Sequence, residues 1–120
     1  MKKFLPILLL ALLAFAGCQN KTATYKLSKD GSNLLENAQA FVEKVTKDSG
    51  DYSAEDWNAV MEEFSKMCQD YKANQWRFFD KDKEAFTAVR VQFIHAVDAA
   101  ENPELQARTK QIYSEVMNQQ

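Results

Sequence analysis

The chain has little of what most enzyme sites require. Its 120 residues include one histidine, two cysteines and three glycines. A ferritin-like di-metal site needs Glu-x-x-His on two helices, and the single histidine, His95, is preceded at that spacing by Gln92. A Ser-His-Asp or Cys-His arrangement would have to use the same histidine, and a phosphate-binding loop would need clustered glycines. We therefore expect no enzyme activity, no catalytic residue, no bound metal and no cofactor.

Positive charge is also scarce. Lys and Arg together number 15 against 17 Asp and Glu, and the loss of Lys2 and Lys3 with a cleaved leader would take the formal net charge from −2 to −4. Nucleic acids and anionic bilayer surfaces are bound through basic stripes, and the sequence contains none. Neither is expected to be the main partner.

Only one long hydrophobic run is present, at residues 4–15, and Pro6 interrupts it. Lys2 and Lys3 precede this run, and Ala16 and Gly17 follow it. It is short for a membrane-spanning helix, whereas a basic, apolar and small-residue succession is typical of a signal peptide. We predict a cleaved signal peptide at residues 1–17.

The end of this leader, Phe15-Ala16-Gly17-Cys18, resembles the lipobox of bacterial lipoproteins, although an aliphatic residue is more usual where Phe15 stands. The resemblance implies that Cys18 becomes the first mature residue and carries acyl chains. An Asp after that cysteine favours retention in the inner membrane, and Gln19 occupies the position here. The expected location is therefore the outer membrane, facing the periplasm. The alternative is an ordinary secreted protein whose leader ends in a chance cysteine.

After Cys18 the chain is polar up to Gly31, with Tyr25 and Leu27 as its larger apolar residues. Polar segments of this composition form flexible linkers. We predict a lipidated cysteine and tether at residues 18–31, followed by a single domain at residues 32–120.

The domain has helical periodicity throughout, because apolar residues recur every three or four positions. Four amphipathic segments are predicted, with the first at about residues 34–47. Such segments bury their apolar stripes by packing together, so the predicted fold is all-α, a small antiparallel bundle of three to four helices. The stripes are Leu34, Ala38, Phe41 and Val45; Trp57, Val60, Met61, Phe64, Met67, Cys68 and Tyr71; Phe86, Val89, Phe93, Val97 and Ala100; and Leu105, Ile112, Tyr113, Val116 and Met117.

Capping signals separate the segments. Asn33 with Glu36 and Ser53 with Asp56 have the spacing of capping boxes, and Asn102 precedes a proline suited to a first helical position. Gly50 is available for a left-handed residue after the first helix, and Asp80 or Asp82 can cap the third.

Two polar or reactive features have structural explanations. Cys68 lies within an apolar stripe, where a cysteine behaves as a small hydrophobe. Asp56, Glu63 and Asp70 follow one another at seven-residue steps, and we interpret this row as a solvated flank of the second helix.

Trp76, Arg77, Phe78 and Phe79 form the one segment without a simple structural explanation. Consecutive helical residues point about 100° apart, so these rings cannot all face the core. Trp76 and Phe79 could close the end of the bundle at a corner between two helices. Alternatively Trp76, Arg77 and Phe79 could bind a partner, because such residues are favoured at the centres of interfaces.

The mature chain resembles a family of small, all-helical lipoproteins of Bacteroidota that is described only as a domain of unknown function. The resemblance rests on Cys18, the tether, the run from Tyr52 to Trp57 and the charged turn before Phe86. It implies the architecture and the cellular address, and no activity.

Two functions remain. The first is a lipid-anchored interaction module of the cell envelope, with another envelope protein as its partner. The second is a small-ligand carrier with an aromatic-lined pocket between helices.

Overall fold

The structure, a computed structural model, describes residues 22–117. Four α-helices account for most of this range, and no strand occurs within it. Helix α1 covers Leu34–Asp48, α2 covers Ala54–Asn74, α3 covers Asp80–Ala99 and α4 covers Pro103–Met117. One-turn 3-10 helices, Ser49–Asp51 and Gln75–Arg77, precede the turns into α2 and α3. The prediction of a small all-α bundle is confirmed.

Phe64 stacks on Phe93 and Tyr71 stacks on Phe86, so α2 and α3 run in opposite directions, yet the most extensive packing joins α1 with α3 and α2 with α4. Between α2 and α4, the Arg108 guanidinium donates to the Asn58 side chain, and Thr109 lies beside Met61, three residues further along α2. Contacts that advance together along both helices mean that α2 and α4 are parallel. Helices α1 and α3 are parallel too, because residues 39–43 lie near residues 85–92 and residues 43–47 lie near residues 92–99. The bundle therefore consists of two parallel pairs, and the two pairs run in opposite directions.

This arrangement gives the bundle two distinct ends. The end of α1, the start of α2, the end of α3 and the start of α4 meet around Tyr52, and we call this the Tyr52 end. The start of α1, the end of α2 and the start of α3 meet around Arg77 and Phe78. We call this the Trp76 end.

The helix starts agree with the sequence at two of four places. The Ser53 hydroxyl accepts from the Asp56 amide at 3.1 Å and the Asp56 carboxylate accepts from the Ser53 amide at 2.9 Å, which completes a capping box. The Asn102 side chain accepts from the Glu104 amide at 2.9 Å. The prediction for Asn33 was wrong, because its side chain makes no capping hydrogen bond.

At the third helix, Asp82 supports the start from inside the first turn and does not act as the N-cap residue. Its carboxylate accepts from the Phe79 amide at 3.1 Å, so Phe79 occupies the capping position. Gly50 lies in a 3-10 turn with an ordinary φ, and the glycine with a positive φ, +87°, is Gly31. A Cβ on Gly31 would lie 2.9 Å from the Arg77 side chain, so this backbone approach requires glycine.

The core contains the first three predicted stripes, except for Ala100, which is exposed. Of the fourth stripe, Leu105 is buried, Ile112 and Val116 pack against the core, and Tyr113 is only half-buried. Three aromatic rings from three helices form its centre: Phe64 stacks on Phe93 with 4.1 Å between ring centroids, and Phe93 stacks on Phe41 at 6.0 Å. Cys68 is fully buried, in agreement with its interpretation as core filler. The side chain of Met117 lies outside the described part.

The segment at residues 22–31 differs from the predicted tether. Ala23 and Tyr25 are buried at 4% and 2% exposure and belong to the core cluster. The Tyr25 ring meets the Phe41 ring edge-on at 6.3 Å, which places the segment between α1 and α2. We call residues 22–31 the strap. The predicted tether is thus wrong over these ten residues, because the segment fills a groove that two helices alone would leave open.

Candidate functional site

An aromatic corner joins α2 to α3. The backbone leaves the helix at Asn74, makes one 3-10 turn over Gln75–Arg77 and becomes extended at Phe78. This change of direction turns the Phe78 ring inward, where it packs 5.6 Å from the Tyr71 ring. We call Trp76, Arg77 and Phe79 the aromatic corner.

The other two rings of this segment face outward. Trp76 is 75% exposed and Phe79 is 76% exposed, more than any other large apolar residue of the described chain. The alternative in which Trp76 and Phe79 close the end of the bundle is therefore wrong. Phe78 does this, and the two exposed rings bury little of their surface within the described structure.

Arg77 connects the corner to the strap. Its guanidinium lies 5.0 Å from the Trp76 ring, within the range of a cation–π contact. One of its nitrogens lies 3.9 Å from the carboxylate of Asp30 in the strap. An Arg side chain over a Trp ring, with one weak ion pair, retains donors for an outside acceptor.

A second cluster centres on Asp70, which is 9% exposed. One carboxylate oxygen accepts from the Tyr25 hydroxyl at 2.7 Å and the Ser28 amide at 2.9 Å. The other accepts from the Ser28 hydroxyl at 3.1 Å and the Asn74 side chain at 3.0 Å. Four donors thus satisfy one buried carboxylate, and three of them come from the strap.

Glu63 adds a further attachment about two turns earlier on α2. Its carboxylate accepts from the Tyr25 amide at 2.8 Å and from Lys66 at 3.1 Å. The interpretation of Asp56, Glu63 and Asp70 as a solvated flank is wrong for Glu63 and Asp70, which hold the strap. Ala23 and Tyr25 alternate as in an extended segment with one buried side, but two residues are too few for the sequence to predict this role.

A pocket of about 460 Å³ opens between α3 and α4. Its apolar lining comes from Phe64, Ile94 and Val97, and its charged lining from Arg90, Lys110 and Asp98. The Arg90 guanidinium stacks 4.1 Å above the Tyr113 ring. This pocket differs in position from the aromatic corner and forms a partly open cleft that could hold a small molecule.

The remaining candidate residues of the sequence lie apart from the aromatic corner and the pocket. Cys18 lies outside the described residues. Burial raises the pKa of Cys68 to about 12, so its thiol stays protonated, and His95 is exposed on α3. Over residues 22–117, no cluster of three His, Cys, Asp or Glu side chains is placed to hold a metal ion. In the same range, no helix has the length and apolar character needed to cross a membrane.

Buried thiol and phenol groups predict a loss of stability at alkaline pH. Burial holds the pKa of Cys68 at about 12, against an ordinary value of 9.0, and also raises the pKa of Tyr25 and Tyr71 above the ordinary 10.0. Above pH 9 the unfolded chain therefore releases a proton that the folded chain retains. We expect the free energy of unfolding to be fully retained below pH 9 and to fall above it, with Cys68 contributing at most about 1.4 kcal/mol per pH unit.

Urea titrations at pH 8, 9 and 10 measure this effect, and Cys68→Ala is the matched variant. Its free energy of unfolding should change less between pH 9 and 10 than that of the wild-type chain. Equal slopes for the two proteins would contradict the assignment to Cys68.

Comparison of the chain with protein-family models, with curated proteins and with solved structures found no match in any of the three.

Proposed function

We propose that the chain is a lipid-anchored module of the bacterial cell envelope that binds another envelope protein through the aromatic corner. The anchor is an acylated Cys18, and the location is the outer membrane with the domain in the periplasm. The resemblance to the all-helical lipoproteins of Bacteroidota is part of this proposal. No catalytic step is assigned to the protein.

The observation that carries the proposal is the exposure of Trp76 and Phe79, at 75% and 76%. Leaving two large rings in water forgoes about 1.5 to 3 kcal/mol each of burial free energy, and nothing in the described structure recovers it. A partner with an apolar cleft would recover it on binding. Arg77 lies between them in the chain and can donate to a carboxylate or carbonyl at the edge of such a cleft.

The test is capture of partners, after cross-linking, from detergent-solubilised native membranes. Trp76→Ala and Phe79→Ala are expected to lose the partner that the wild-type chain recovers, because an aromatic anchor contributes about 2 kcal/mol or more, roughly thirtyfold in affinity. Val91→Ala is the matched control, since Val91 is also apolar and exposed but lies on α3 away from the corner. Unchanged recovery by both corner variants, with normal melting temperatures, would refute the binding role.

The anchor is tested separately through Cys18. Wild-type protein should fractionate with membranes and show a mass consistent with acylation at Cys18, whereas Cys18→Ala should lose both properties. An unmodified wild-type protein in the soluble fraction would refute the anchor. The capture experiment would then still test the binding role of the aromatic corner.

The pocket between α3 and α4 favours a second candidate, a carrier of a small amphipathic molecule. Its volume of about 460 Å³ lies in the range of ligand sites, and it combines an apolar lining with the charges of Arg90 and Lys110. A small molecule that co-purifies with the wild-type chain, but not with Ile94→Trp, would support the carrier. Ile94→Trp fills the pocket without changing the aromatic corner, so the two candidates are separable.

A further inference from the structure

The strap runs along α2 in one direction. Ala23 lies beside the Tyr52 side chain just before α2 begins, and the Tyr25 amide donates to Glu63. Further along, Ser28 meets Asp70 and Gly31 lies against Asn74, the last residue of α2. The strap therefore enters at the Tyr52 end of the bundle and finishes at the Trp76 end.

This direction limits where residue 18 can be. Four residue steps separate Thr22 from Cys18, and an extended chain spans at most about 3.6 Å per residue, so the two lie within about 14 Å of each other in any conformation. Helix α2 has 21 residues and a length of about 31 Å. Cys18 can therefore reach the neighbourhood of the Tyr52 end, whereas the aromatic corner lies beyond its reach while the strap is docked.

We propose that the docked strap orients the bundle on the membrane, with the Tyr52 end towards the bilayer and the aromatic corner pointing away from it. This inference rests on the proposed anchor at Cys18. The contacts of Glu63 and Asp70 hold the strap in place and leave a linker of only three residues, 19–21, between the anchor and the docked chain. In this orientation the partner is a protein that approaches from the periplasm. The rings of Trp76 and Phe79 then face away from the lipid surface and cannot be covered by it.

The two tryptophans of the chain report this orientation directly. Trp57 lies at the start of α2 and Trp76 just after its end, so they mark the two ends of the bundle. In vesicles of phosphatidylethanolamine and phosphatidylglycerol that contain a dansyl lipid, energy transfer from each tryptophan depends steeply on its distance from the headgroups. The Trp76→Phe variant isolates the signal of Trp57, and its difference from the wild-type chain gives the signal of Trp76.

Transfer from Trp57 is expected to be at least about fivefold more efficient than from Trp76, because α2 places the second ring about 30 Å further from the bilayer. The membrane-extracted full chain is used for this measurement. If Cys18 proves to carry no lipid, a maleimide lipid is coupled to it, and the buried, protonated Cys68 does not compete for the reagent. The orientation can thus be tested even if Cys18 is not acylated in the cell.

The role of the strap is tested with Asp70→Ala, which removes the acceptor of three strap donors. Release of the strap lengthens the linker to 13 residues, residues 19–31, whose root-mean-square span is roughly 20 Å. The difference in transfer between the two tryptophans should then fall by about half or more, and trypsin should cleave at Lys26 or Lys29. Glu62→Ala, which removes an exposed carboxylate from the same helix, should behave as the wild-type chain.

Two results would overturn the proposal. Equal transfer from both tryptophans in the wild-type chain would mean that the bundle has no fixed orientation or lies on its side. An unchanged transfer difference in Asp70→Ala, in a sample where trypsin shows the strap to be released, would mean that something other than the strap sets the orientation.

Discussion

Replacement of Phe64 by alanine is expected to lower the free energy of unfolding by about 3 to 5 kcal/mol. Phe64 is fully buried, and its ring stacks on Phe93 with 4.1 Å between centroids and 4° between planes. The substitution removes apolar area from the core and also leaves the Phe93 ring, which packs on Phe41, without its neighbour. Urea denaturation followed by circular dichroism measures the change.

Phe79→Ala is the matched control, because it removes the same kind of side chain at a position where the ring is 76% exposed. This variant should stay within about 0.5 kcal/mol of the wild-type chain, as surface substitutions usually do. A loss below about 0.5 kcal/mol for Phe64→Ala would remove Phe64 from the core. A large loss of unfolding free energy for Phe79→Ala would mean that the Phe79 ring is packed against the rest of the folded protein.

The four helices were predictable because apolar residues recur at the helical period within each segment and turn residues separate one segment from the next. The second stripe, from Trp57 to Tyr71, is buried along its whole length. The caps at Ser53 and Asn102 were predictable too, since a capping side chain acts within three residues of itself. Local information was sufficient for all of these features.

The strap was not predictable in this way, because its contacts join residues that are distant in sequence. Tyr25 and Asp70 are 45 positions apart, and neither is informative alone. A tyrosine in a polar segment resembles a linker residue, and an aspartate on the edge of a helical stripe resembles a solvated one. Only the fold, which leaves a groove between α1 and α2, shows that each satisfies the other.

The conformation of residues 76–79 was predictable only in part. The sequence predicted that three neighbouring rings could not all face the core, and this is confirmed by the exposure of Trp76 and Phe79. Which ring turns inward depends on the 3-10 turn after α2 and the extended backbone at Phe78. Helical periodicity contains no information about such a turn, so the identity of the buried ring required the structure.

Asp70→Ala is expected to have the second large effect on stability, because Asp70 holds the strap. Hydrogen bonds to a charged group contribute about 1.5 to 3 kcal/mol, and this carboxylate receives donors from Tyr25, Ser28 and Asn74. The substitution leaves these donors without their acceptor unless the strap detaches, and detachment exposes the Tyr25 ring. We expect the free energy of unfolding to fall by about 2 to 4 kcal/mol, as measured in urea at pH 7.

A double-mutant cycle with Tyr25→Phe separates the strap from a general defect in α2. Tyr25→Phe removes the hydroxyl that donates to Asp70 at 2.7 Å and keeps the buried ring. If the two residues act through this bond, Asp70→Ala should cost at least about 0.5 kcal/mol less in the Tyr25→Phe background than in the wild-type chain. Glu62→Ala is again the control and should leave stability within about 0.5 kcal/mol of the wild-type value. Strict additivity of the Tyr25 and Asp70 effects would mean that this hydrogen bond does not contribute to holding the strap, which would then depend on the contacts of Ser28 with Asp70 and of the Tyr25 amide with Glu63.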